Sequence, residues 1–120
     1  MSKDERPRQI FRDPRFLQFI ELFNTEQFFE AHEILEELWL ELKGDQKRFV
    51  QGLIQFAVAF AHSRRNNPKG AFQVGMRALE AVRTHIGESE GIEITQLIQE
   101  CEDFLSGKRS DFPKIRTRID

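Results

Sequence analysis

A histidine and a carboxylate one helical turn apart can share a metal ion or pass a proton between them. This chain carries such a pair at His32 and Glu36, with Trp39 three residues further on. They fall in the run from Glu30 to Trp39, which is rich in strong helix formers. At about 100° per residue, with His32 set to zero, Trp39 falls near roughly −20°, Leu35 near −60°, Glu36 near +40°, Phe29 near +60° and Leu40 near +80°. His32 and Glu36 are therefore expected inside a wide apolar arc. Glu30, Glu33, Glu37 and Glu41 gather on the opposite face, as a solvated stripe should.

A second stretch repeats the pattern. Gln51, Gln55, Val58 and His62 lie within about 60° of one another on a helix and are flanked by the small residues Gly52 and Ala59. The connection between the two stretches is short, which makes them antiparallel neighbours. Gln51 and Gln55 are then expected within a turn of Glu36, and His62 near His32. Two readings follow. In the first, His32, Glu36, Trp39, Gln51, Gln55 and His62 form a buried hydrogen-bond network in a structural or binding module, because buried polar groups recruit partners. In the second, His32 and Glu36 are the catalytic candidates of a small-molecule or metal-dependent enzyme, Trp39, Gln51, Gln55 and His62 line its binding site, and His32, Glu36 and His62 are the candidate metal ligands. The spacing matches neither the His-Glu-x-x-His pattern nor the Glu-x-x-His of di-iron bundles. No cofactor is expected on the first reading, and a divalent metal belongs to the second.

The elements that would position these residues are legible from punctuation. Asp13-Pro14 is a cap followed by proline at the first helical position and opens a helix to about Phe23. Asn24 or Thr25 is expected to cap a second helix, from about Glu26 to Leu42. A third, from about Gln46 to Arg65, is apolar nearly all round, as suits a helix central to its domain. Asn67-Pro68 repeats the cap signature for a fourth helix to about Ile86, and a fifth carries Ile94, Leu97, Ile98, Cys101, Phe104 and Leu105. No stretch alternates with period two. The expected fold is all-α, a compact single-domain bundle of about five helices with antiparallel neighbours. Residues 1–12 are expected to be a flexible charged arm, 13–106 the helical domain, and 107–120 a basic tail in which Phe112, Pro113 and Ile115 can tuck back.

Composition limits the function classes. The chain has 120 residues, 39% hydrophobic and 32% charged, with a net charge of −2, so it suits one globular domain. The longest apolar run, Phe49 to Ala61, is too short to span a bilayer. No membrane association is expected, and a cytoplasmic location follows from the lack of an apolar leader. The single cysteine, Cys101, reads as core. Residues 26–41 hold six Glu and no base, whereas residues 43–83 hold eight Lys or Arg against Asp45 and Glu80. Without interleaved exposed aromatics, that basic run does not make nucleic acid an expected partner. The partner is open, and a leftover apolar face would allow a homo-oligomer. Twelve Phe, one Trp and no Tyr describe a core that needs no hydroxyl partners.

The segment from Asn24 to Ala71 also resembles a known family. Its blocks are Phe28-Phe29-Glu30-Ala31-His32-Glu33, Leu35-Glu36-Glu37-Leu38-Trp39, Gln51-Gly52-Leu53-Ile54-Gln55, His62 and Asn67-Pro68-Lys69-Gly70-Ala71. In this order they look like the DUF309 family of small bacterial and archaeal helical proteins, whose hallmark is the pattern His-x-x-x-Glu-x-x-Trp. The resemblance implies an all-α fold and unknown function, and it supplies no catalytic residue.

Overall fold

In a computed structural model, residues 8–89 and 91–118 are described. Among them the chain forms five α-helices and one isolated antiparallel bridge, Ile92 to Thr117, so the fold is all-α. The helices are α1 (Pro14–Asn24), α2 (Phe28–Trp39), α3 (Gly44–Arg64), α4 (Pro68–Thr84) and α5 (Ile94–Leu105). Both cap-then-proline signatures act as expected. The Asp13 carboxylate accepts from the Arg15 backbone N–H at 2.8 Å, and the Asn67 side chain accepts from that of Gly70 at 3.1 Å. The second helix starts later and ends earlier than its composition suggests.

The long α3 lies between α2 and α4 and buries residues from Phe49 to Phe60 on all but one side. Gly52 lets α4 close on it, since a Cβ there would stand 2.7 Å from Val82 Cγ2. Below this layer a cluster of phenylalanines joins four of the five helices and the tail. Phe23 of α1, Phe28 of α2, Phe60 of α3, Phe104 of α5 and Phe112 of the tail have ring centroids 4.8 to 5.9 Å apart, mostly edge to face. No hydroxyl has to be satisfied there, which is what a core of Phe without Tyr permits.

The C-terminal tail closes the bundle. Asn24 was expected as a cap, but it is the last residue of α1, and α2 begins after Gln27 with no side-chain cap. Its amide instead accepts from the Ile115 backbone N–H at 2.7 Å and donates to the Ile115 carbonyl at 2.8 Å. Lys114 Nζ adds a bond to the Asn24 carbonyl at 2.8 Å. Buried Glu100 accepts from the Lys114 backbone N–H at 3.0 Å and from Arg116 at 2.8 Å, with Arg109 at 3.6 Å. Burial pushes the Glu100 carboxyl up, but the Lys114 N–H and the two guanidiniums outweigh it and hold the group below its ordinary range. Cys101 beside it is buried, and burial pushes its thiol well up, so it is core and not a thiolate.

Residues 1–7 of the N-terminal arm lie outside the described residues, as do 119 and 120 of the tail. From Arg8 onward the chain is attached: Ile10 is buried in a short 3-10 turn, and Arg8 and Arg15 both hold the Glu41 carboxylate. Those bonds bring the Glu41 carboxyl down to about 2.

Candidate functional site

The six residues singled out by the sequence do not form a sealed network. Glu36 and Gln51 are exposed, while His32, Trp39, Gln55 and His62 are half-buried. No hydrogen bond among the described residues joins any two of the six. The expectation of a buried His/Glu/Gln/Trp network is therefore corrected, and the reason is local. The core sector of α2 is the Phe28, Ala31, Leu35 and Leu38 side. Phe29 and Leu40, counted with the apolar arc, are 48% and 69% exposed. With α1 and α3 on the flanks of α2, nothing among the described residues covers the sector from Glu36 through Phe29 to Leu40, so those side chains are exposed.

What the structure does gather is one surface. Trp39 sits at the border of α2 and α3, with Lys47 Nζ over its ring at 4.3 Å from the centroid, which puts the His32, Glu36 and Trp39 side of α2 next to the outer stripe of α3. Gln51, Gln55, Val58 and His62 run along that stripe. At its far end the His62 ring meets the Asn67 amide at 3.1 Å and crowds Gly70, where a Cβ would stand 3.2 Å from Nδ1. His62 is thus occupied with the start of α4 and not with His32.

The α2 part of this surface presents mainly acceptors. His32 Nδ1 lies 2.7 Å from the Phe29 carbonyl oxygen, which can only accept, so the neutral ring carries its proton on Nδ1 and leaves a lone pair on Nε2. Glu30, Glu33, Glu36 and Glu37 are exposed, and none forms an ion pair with a described residue. The indole N–H of Trp39 is buried and has no acceptor among the described residues, the one such side-chain atom found there. Buried donors are nearly always paired, so this one marks a spot the folded chain leaves incomplete.

No three His, Cys, Asp or Glu side chains among the described residues are grouped so as to hold a metal ion. A hollow of about 410 Å³ lies away from this surface, between α4 and α5, lined by Phe72, Met76, Leu79, Arg83, Glu102 and Leu105 among others. Sequence reasoning passed over it, and over Phe29 and Leu40 as exposed anchors. The signal for the hollow was Phe72 and Met76, one turn apart and off the apolar stripe of α4; both are exposed. No helix among the described residues is long and apolar enough to cross a membrane.

Comparison with known proteins agrees with the motif blocks. The model of the family described as "Domain of unknown function (DUF309)" matches residues 16–74. An uncharacterized protein of Bacillus subtilis (strain 168), YpuF, is 38% identical over 84 residues, which is 67% of this chain and 48% of that protein. An uncharacterized protein of Aquifex aeolicus (strain VF5) is 32% identical over 92 residues, 76% of this chain and 28% of that one. The chain thus spans less than half the length of either relative.

Proposed function

The chain belongs to the DUF309 family through residues 16–74, and from that premise we propose that it is a helical binding module that docks another polypeptide on the outer face of α2. One observation carries this reading. Four exposed glutamates of α2 without an ion-pair partner among the described residues lie between two large exposed apolar side chains, Phe29 in its first turn and Leu40 just past its end. Isolated exposed hydrophobics are ordinary, but two of them bracketing a one-sign charge row and a half-buried Trp have the make-up of a small interface, with anchors and a polar rim. The occupant that suits the glutamate row and the His32 lone pair is rich in donors, namely lysine, arginine or backbone N–H groups, with a carbonyl to accept from the Trp39 indole N–H. His32 Nε2 would take one such donor, and the Glu36 carboxylate another.

The test is site-specific photo-crosslinking of the full chain in its host cell, with the probe at position 36 or, as a control on another face, at position 95. A discrete adduct from position 36, lost when Phe29→Ala and Leu40→Ala are combined, is the expected result. Identical patterns from both positions would sink the reading.

A metal reading has one observation behind it as well: a histidine that gives Nδ1–H to a carbonyl presents Nε2 as metal-bound histidines do. Elemental analysis of tag-free protein decides it. Stoichiometric metal that is lost in Glu36→Gln would replace the docking reading.

A further inference from the structure

The face that carries the acidic row does not end at α3. Gly70 borders the His62 end of the outer stripe of α3, and Ala81 borders Gly52, where a Cβ would stand 3.1 Å from Ala81 Cβ. On α4 these two residues share a side with Val74 and Arg77, all four falling within about 60° of one another. Arg77 is exposed, as is Lys69 one turn before Gln73, and neither forms an ion pair with a described residue. The outer face of the α2–α3–α4 layer therefore has an acidic edge at Glu33 and Glu36 and a basic edge at Arg77. Between them lies a strip of half-buried side chains, Gln55, Val58, Val74 and Ala81.

We propose that the occupant of this face is a second copy of the same chain, turned about a two-fold axis over α3 so that the Glu33/Glu36 edge of each protomer meets the Arg77 edge of the other. The proposal rests on the docking reading above and names its partner. It follows from the order of the helices: α3 lies between α2 and α4, so a half-turn about its middle exchanges the two edges. Glu33 and Glu36 of each protomer then meet Arg77 of the other, and each contact is made twice in a closed pair. The strip between the edges is mostly half-buried side chains, and exposed Gln51 on it is uncharged, so it sets no like charges against each other when the two layers meet.

The experiment is sedimentation equilibrium of the full chain at several concentrations and two salt levels. Wild type is expected to approach twice the 14.2 kDa mass of one chain, and to dissociate more readily in high salt. Glu36→Arg and Arg77→Glu, each alone, place like charges together twice per pair and should raise the dimer dissociation constant on the order of a hundredfold. Mixing the two single variants sets the introduced arginine against the introduced glutamate at one contact and the native Arg77 against the native Glu36 at the other, so dimers should return. Circular dichroism confirms that each variant folds, both positions being exposed. Single variants that dimerise like wild type, or mixing that restores nothing, overturn the proposal, and a ladder of higher masses overturns the two-fold arrangement. Should wild type stay monomeric while position 36 still crosslinks to another protein, self-pairing falls and the docking reading stands. Should it stay monomeric with no adduct from position 36, both fall.

Discussion

The tail clasp and the outer row of α2 are both built from charged residues, and they treat those charges in opposite ways. At the clasp, Glu100 meets a backbone N–H and two guanidiniums, and Asn24 spends both ends of its amide on Ile115. Along α2, Glu30, Glu33, Glu36 and Glu37 meet no cation among the described residues. Polar groups that the fold itself needs are paired within the fold, because burial makes an unpaired group costly. Groups left unpaired on a surface do not hold the fold together, and there a functional role can reside.

Substitutions can break or sharpen that contrast. The largest effect is expected from Phe112→Ala, which takes one ring out of the Phe28, Phe60 and Phe104 cluster and should cost about 3 kcal/mol in urea unfolding. Next comes Asn24→Ala, which leaves the N–H and carbonyl of Ile115 unpaired and should cost about 2 kcal/mol, with faster amide exchange at Ile115.

Glu100→Gln should cost about 1–2 kcal/mol at neutral pH through weaker bonds to Arg116 and Arg109. It also carries a pH signature. The Glu100 carboxyl is held below its ordinary value of 4.5, so its contribution is fully present above that value and is lost as pH falls through the lower, folded value. Acid unfolding of the variant should accordingly begin from a lower plateau and show a shallower loss below about pH 4.5 than wild type. The smallest effect belongs to Glu36→Gln, which should stay within about 0.5 kcal/mol of wild type because the side chain is exposed and unpaired. If Glu36→Gln instead destabilises the chain as much as Asn24→Ala does, the contrast between the two regions collapses.

What the sequence made legible was what depends on near neighbours. Asp13-Pro14 and Asn67-Pro68 marked helix starts because cap and proline act within three residues, and the apolar circumference of α3 marked it as central. The later start of α2 was not legible, since Asn24 is drawn off by a backbone 91 residues away in the chain. Glu100 was equally silent. It stands next to Cys101 on α5, and only the returning tail brings Arg116 and Lys114 to it. At the candidate site, rotation correctly put His32 and Trp39 on one side of α2 but placed Glu36 in the core. Periodicity reports which residues share a side of a helix, and it takes the neighbouring helices to decide how much of that side is covered. Phe29 and Leu40 widened the apparent apolar arc, and nothing among the described residues covers them.

The bonds between Asn24 and Ile115 also set a timetable. A chain made from its N-terminus at roughly 5–20 residues per second needs about 5–20 s to get from one of those residues to the other. Through that interval α1 can pair with α2 and α3, yet its last carbonyl and amide wait on a segment that has not been translated. The clasp on α1 therefore closes only after Ile115 has been made, and a ribosome stalled before that residue would present a bundle whose α1 is still unfastened.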